Sequence, residues 1–177
     1  MSRLRFILPQ EAGERTKGIF KKLVMVPNLF CIMANSEAVL DVYSCHHSHL
    51  GEYKLSPKLR KMISLAVSQF NACSYCIALH TSGAVSSGLL TPQECLDARR
   101  MTSPDPGAKA MLGFTRAVLE NRGHVEDGTI EVMKCQGFDD REIIEAIAVI
   151  ALINQANLTA NVARPELDFP EPPALES

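Results

Sequence analysis

The sequence predicts an all-α, single-domain helical bundle that ends in an extended, proline-rich tail. Three observations carry this expectation. Apolar residues recur at helical spacings almost throughout, and no stretch alternates apolar and polar residues over the roughly five positions a half-buried strand needs. Successive segments open on N-cap residues and close on glycine. Finally, 177 residues that are 46% hydrophobic and 21% charged suit one compact domain of roughly 150 residues with a sizeable core. The core should run from about residue 20 to 164, with residues 165–177 as the tail.

The elements follow in order. After Pro27, the residues Leu29, Phe30, Ile32 and Met33, then Val39, Leu40 and Val42, mark one or two helices before Gly51. Ser56 and Pro57 read as an N-cap followed by proline at the first helical position, opening a helix to about Phe70. Asn71 and Ala72 interrupt it before a second helix from about Ser74 to Ser87, closed by Gly88. Thr91 and Glu94 form a capping box for a short helix to about Met101. Turn chemistry from Ser103 to Gly107 precedes a helix carrying Met111, Leu112, Phe114, Ala117 and Val118, which ends near Gly123. A short helix from Val125 to Cys135 stops at Gly137. Asp139 or Asp140 then caps a long helix, apolar on most faces, that belongs in the core or in a subunit contact. Pro165, Pro170, Pro172 and Pro173 keep the tail extended over a surface.

Composition excludes several functions. Lys plus Arg is 18 and Asp plus Glu is 20, a net charge of −2, with no basic block to follow a phosphate backbone, so no nucleic-acid partner is expected. The longest uninterrupted apolar run, Ala146 to Ile153, is far below the roughly 20 residues of a bilayer span, so no membrane partner is expected either. Phe6, Ile7 and Leu8 before Pro9 are too few for a signal-peptide core, and a cytoplasmic location follows as the expectation. In that reducing compartment the 6 cysteines are not a framework of permanent disulfides.

Chemistry concentrates at Cys73, Cys76 and His80. At about 100° per residue all three share one helical face, and the two cysteines lie about 4.5 Å apart along the axis, within reach of a disulfide after modest adjustment. His80, one turn beyond Cys76, can take the thiol proton directly or through one water, while free N–H groups at the helix start favour a thiolate. A thiolate that attacks a peroxide becomes a sulfenic acid, and a neighbouring thiol converts it to a disulfide before over-oxidation. A zinc site is the competing reading, but this set supplies three ligands and no second C-x-x-C pair completes it. No metal and no cofactor is therefore expected. Ile77 after Cys76 excludes c-type haem attachment.

The run Leu55-Ser56-Pro57, then Ile63-Ser64-Leu65-Ala66-Val67-Ser68, then Asn71-Ala72-Cys73-Ser74-Tyr75-Cys76 to His80 resembles the alkylhydroperoxidase D-like, carboxymuconolactone decarboxylase superfamily. The resemblance continues through Phe114 to Ala117, Gly137 to Asp140, and Asn154 to Asn161. It implies an all-helical fold assembled as trimers or hexamers, and a thiol peroxidase in antioxidant defence. Its partners would be a hydroperoxide substrate and a dithiol reductant. In the peroxidase branch the residue at the Cys76 position attacks, that at Cys73 resolves, and that at His80 serves the proton relay. The decarboxylase branch generally lacks the cysteine pair, so the intact pair argues against lactone decarboxylation. The chain departs from the peroxidase pattern at two places. The relay glutamate twelve residues before the first cysteine is here Lys61, and a relay histidine before the second is here Tyr75.

The other dense group is Cys45-His46-His47-Ser48-His49. It reads first as a histidine-rich final turn that complements a helix C-terminus. If this segment packs over Cys76, His49 or His46 would stand in for the missing carboxylate, so His49, Tyr75 and Lys61 form the candidate proton relay. Cys31, Cys95 and Cys135 read as small buried hydrophobes. The site itself should be a small apolar pocket suited to organic hydroperoxides. A reading from another class is a non-enzymatic redox sensor or metal-binding assembly module built on the same thiols.

Overall fold

The computed structural model describes residues 2–175. Its helices among the described residues are α1 (Glu14–Phe20), α2 (Asn28–Met33), α3 (Glu37–His49), α4 (Pro57–Phe70), α5 (Ser74–Ser86), α6 (Pro92–Arg99), α7 (Pro106–Glu120), α8 (Asp127–Cys135) and α9 (Asp140–Ala163). A single 3₁₀ turn, Leu50–Glu52, follows α3, and no strand occurs among the described residues.

The caps explain the boundaries. The Ser56 side chain accepts from Leu59 N–H with Pro57 in the first turn, and both capping boxes form, Thr91 with Glu94 and Asp139 with Glu142. Each satisfies backbone donors that the first helical turn leaves without partners. Asp139, rather than Asp140, is the cap of α9. The helix expected from Val125 starts two residues later, after Glu126 takes the extended cap conformation.

Three clusters make up the core. One gathers Leu29, Leu40, Tyr43, Cys73, Cys76, Leu152 and Ala156 from α2, α3, α5 and α9. A second joins α4 to α7, α8 and α9 through Ile63, Val67, Phe114, Met133 and Val149. The third packs Met62, Leu65, Ala66, Leu90 and Leu112. Helix α4 serves both of the last two because its buried residues run from Met62 to Ser68 without a break. At roughly 1.5–3 kcal/mol for each fully buried large aliphatic side chain, this helix anchors the bundle.

Two features differ from the sequence expectation. The core begins before residue 20. Ala12 and Phe20 are buried, and Phe6 and Ile7 pack against the first cluster. Helix α1 is short and only Thr16 and Phe20 on it are buried, too sparse a pattern to stand out. A Cβ at Gly13, its N-cap, would run into the Glu37 carboxylate, which accepts the Thr16 N–H at 3.2 Å. Helix α9 is also long and apolar enough to cross a bilayer by length and composition, which the short run Ala146 to Ile153 understated. In the fold it packs against α2, α3, α4, α5 and α7, and more than half of its most apolar window is buried inside the bundle.

The tail is extended and lies over its own chain. Arg164 turns it back in a left-handed conformation, φ 51°. Asp168 then accepts the Asn28 N–H at 2.6 Å, Phe169 meets Tyr75 edge-on with ring centroids 6.0 Å apart, and the Pro173 carbonyl accepts from Arg99 Nη1 at 2.6 Å. The last two residues of the tail lie outside the described residues.

Candidate active site at the start of helix α5

A sharp reversal between α4 and α5 sets the site. Ala72 takes φ 50°, a left-handed conformation that costs a residue with a Cβ about 1 kcal/mol. It turns the chain so that Cys73, not a serine or aspartate, becomes the N-cap of α5. The Cys73 sulfur accepts the Cys76 backbone N–H at 3.3 Å, and its carbonyl accepts Ile77 N–H at 2.9 Å. Both thiols are free and fully buried.

The two thiols differ in acidity. Cys73 is held below its ordinary pKa because the Cys76 thiol donates to it, with the Cys76 backbone N–H adding to this against the cost of burial. Cys76 is pushed far up because its proton is held by the Cys73 sulfur and because it is buried. Of the two, Cys73 is therefore the more readily ionised thiol and Cys76 the one that keeps its proton.

Asn157 of α9 opposes that rise through a hydrogen bond to Cys76. Its own side chain is fully buried and fixed on both sides. Nδ2 donates to Ser68 Oγ at 3.2 Å, and Oδ1 accepts from Asn71 Nδ2 at 3.0 Å, which also donates to Asn154 Oδ1 at 2.6 Å. On the other side stands buried Tyr43, whose hydroxyl is pushed up by burial and by the nearby Cys76. Its ring packs edge-on against Phe30 at 5.7 Å and lies 6.5 Å from His47.

His80 follows Cys76 on α5, but no hydrogen bond links it to either thiol among the described residues. Its partners are electrostatic. Burial, then Lys61, then His47 hold its imidazole well below the usual range, so it is neutral at pH 7. Lys61 is half-buried and its own pKa is lowered, chiefly by burial. It faces α5 near Gly83 and bears on His80 and His47, with neither sulfur among the groups it shifts.

The other relay candidates are placed elsewhere. His49 is exposed and pairs with Glu52 at 3.0 Å, while His46 Nε2 meets the Tyr53 hydroxyl at 2.9 Å. Of this cluster it is His47, exposed on α3, that bears electrostatically on His80, and i to i+4 spacing sets it beside Tyr43. Tyr75 is buried close to Cys76, but its hydroxyl accepts the Leu29 N–H at 3.2 Å and lies beside Asp168, committed to α2 and the tail. Cys31 and Cys95 are buried as expected, whereas Cys135, at the end of α8, is exposed. Among the described residues no three His, Cys, Asp or Glu side chains converge as metal ligands.

One cavity lies among residues that touch Tyr43, and another beside the chain neighbours of Cys73. One, of about 390 Å³ between α1, α2 and α3, is lined by Ile19, Leu23, Phe30, Ser44 and His47 among others. The other, about 460 Å³ and more polar, opens beside Cys73 and is lined by Ala72, Ser74, Tyr75, Asn161 and Arg164. Residues that sequence reasoning did not single out are Tyr43, His47 and Asn157. The last two sit inside stretches already conspicuous, the Cys45 to His49 cluster and the Asn154 to Asn161 run; Tyr43 carries no local signal.

The profile of the Carboxymuconolactone decarboxylase family matches residues 44–121. No curated protein matches the chain. Among solved structures, an uncharacterized peroxidase-related protein from Silicibacter sp. TM1040 is 28% identical, with 85% of this chain and 81% of that one covered and a TM-score of 0.74. An alkylhydroperoxidase AhpD core protein from Ralstonia eutropha JMP134, also described as peroxidase-related, is 23% identical over 94% and 92% of the two chains, with a TM-score of 0.79. The debrominase Bmp8, as a cysteine-to-alanine variant in complex with 2,3,4-tribromopyrrole, is 16% identical over 95% and 92%, with a TM-score of 0.77. The last two identities speak for the fold alone. The family match over residues 44–121 takes in the paired cysteines at the head of α5, and the fold is shared with these structures, so the chain is similar to proteins of the Carboxymuconolactone decarboxylase family across that segment.

Proposed function

We propose that the chain is a thiol peroxidase that reduces organic hydroperoxides with the Cys73–Cys76 pair. The family and fold are those of peroxidase-related and lactone decarboxylase-like proteins. The observation that favours the peroxidase over the decarboxylase is the pair of adjacent, buried and reduced thiols, the first of which caps the helix that carries the second.

The unequal acidity of the pair also answers the loss of the relay glutamate. Cys76 attacks the peroxide while its proton passes to the Cys73 thiolate, so the pair carries its own base. The O–O bond breaks, the distal oxygen stays on Cys76 as a sulfenic acid, and the alcohol leaves after taking one proton from solvent. The Cys73 thiol then attacks the Cys76 sulfur, forming the disulfide and releasing water. The sum is dithiol plus ROOH giving disulfide, ROH and water. A dithiol reductant returns the pair to its starting state by exchange, and the polar cavity beside Cys73 gives it a point of entry. Asn157 positions the Cys76 sulfur, and neutral His80 is available to exchange protons with solvent.

Assembly into a homo-oligomer belongs to the same proposal. Ile144, Leu158 and Val162 of α9 are each more than half exposed, an apolar stripe on a helix otherwise at the centre of the bundle and suited to a subunit contact.

A single-turnover titration tests the activity. The reduced protein should consume one cumene hydroperoxide per chain and lose two titratable thiols, and Cys76→Ser should abolish this. Loss of no thiols, or turnover of a brominated pyrrole or a lactone in place of the peroxide, would overturn the reading.

A further inference from the structure

Basic side chains crowd the flank of α5. His46 and His47 come from α3, Arg60 and Lys61 from α4, and His80 from α5; the electrostatic shifts on His47 and His80 tie them into one group. Carboxylates do not balance them. Glu145 bears on Arg60, but it is already engaged by Leu55 N–H at 2.7 Å and by Arg141 Nε at 2.8 Å. Glu52 is paired with His49. Among the described residues neither Arg60 nor Lys61 forms an ion pair. Arg60 Nε and the hydroxyl of Thr81, next to His80, are buried without a hydrogen-bond partner.

Half-buried cations and orphaned donors are costly unless something meets them. There is room for it. Gly83 carries no side chain, and a Cβ there would find only the Lys61 Nζ, at 3.8 Å. The group also adjoins an apolar space, because His47 lines the 390 Å³ cavity together with Ile19, Leu23 and Phe30. Ser44 Oγ in that wall is likewise buried without a partner, and the wall's own carboxylate, Asp41, is paired with Arg15 at 3.5 Å.

We propose that this basic cluster binds the carboxylate of a small amphipathic organic acid, with Lys61 and His47 facing the anion and the α1–α3 cavity, which His47 lines, taking the apolar body. For catalysis this names the substrate class as carboxylate-bearing organic hydroperoxides, which rests on the peroxidase reading; the binding of the acid itself does not. The position that holds an acid in the peroxidase pattern here holds a base, so the same locus attracts the charge that a glutamate would repel.

Calorimetric titration of the full-length reduced protein with 4-isopropylbenzoate and with the neutral 4-isopropylbenzamide tests the binding. The acid should bind about tenfold more tightly, the effect of one partly screened charge pair. Lys61→Met should bring it to the level of the amide, while Lys61→Arg, which keeps the charge, should restore the difference and exclude a packing effect. His47→Gln should reduce it as well. Equal binding of acid and amide by the wild type, or a preference that survives Lys61→Met, overturns the proposal. The kinetic arm compares dithiol oxidation by cumene hydroperoxide and its 4-carboxy derivative, with the acid expected to react faster at low concentration. If the acid binds selectively but neither peroxide oxidises the thiols, the peroxidase reading fails and the anion site stands.

Discussion

The backbone N–H of Cys76 donates to the sulfur of Cys73 at 3.3 Å, so the first cysteine of the motif is at once a redox group and the cap of the helix that carries the second. Those two duties separate by mutation. Cys73→Ser keeps an acceptor at the cap and should leave stability nearly unchanged, whereas Cys73→Ala should cost about 1 kcal/mol. Urea unfolding of both variants under reducing conditions checks this.

The unequal pair makes a prediction about acidity. Removing the donor thiol with Cys76→Ala leaves Cys73 only the backbone N–H, so its pKa should rise toward that of a free thiol. Removing Cys73 with Cys73→Ala should lower the pKa of Cys76, which the Cys73 sulfur now holds up. Thiolate absorbance in the ultraviolet, followed against pH, reads both. Parallel shifts in one direction would contradict the mutual coupling of the two thiols.

His80 should make the protein acid-sensitive. Its folded pKa lies well below the unfolded value of about 6.5 because of burial, Lys61 and His47. As pH falls below about 6.5 the unfolded chain binds a proton that the native state does not, so stability drops, by at most about 1.4 kcal/mol per pH unit for this one group. Above that pH the contribution is complete. His80→Gln should flatten the slope of stability against pH between about 6.5 and 5.

Asn157 joins Ser68, Asn71 and Cys76 inside the core. Asn157→Leu leaves the Ser68 hydroxyl without its partner and removes one bond from Asn71, and should destabilise by about 1–3 kcal/mol. It should also raise the pKa of Cys76 further, through loss of the amide that opposes the rise. A variant that is destabilised yet oxidised by peroxide at the wild-type rate would deny Asn157 its positioning role.

Most helices were legible because their boundaries rest on local chemistry. Ser56-Pro57, Thr91 with Glu94 and Gly88 each mark an end within a few residues, and each end is found there or within two residues. Helix α1 was not legible, since its burial depends on Glu37 and the α3 surface more than on its own pattern. The site divides in the same way. Cys73, Cys76 and His80 announce themselves by spacing along one helix. That His47, rather than His46 or His49, bears on His80, and that Tyr75 is spent on Leu29 N–H, depends on how α2 and α3 pack, which no local pattern encodes. The unequal acidity of the two thiols needs both the helix cap and the burial to appear.

Rapid mixing of the fully reduced protein with cumene hydroperoxide, followed by peptide mass mapping, tests the central claim most directly. The wild type should form the Cys73–Cys76 disulfide at least about a hundredfold faster than a free thiol is oxidised, the low end of what a positioned base contributes. Cys73→Ser, which lacks both the base and the resolving thiol, should react more slowly than the wild type and stop at a sulfenic acid on Cys76, and Cys76→Ser should form neither species. Wild-type oxidation no faster than that of a free thiol, or a sulfenic acid appearing on Cys73 in Cys76→Ser, would contradict the account.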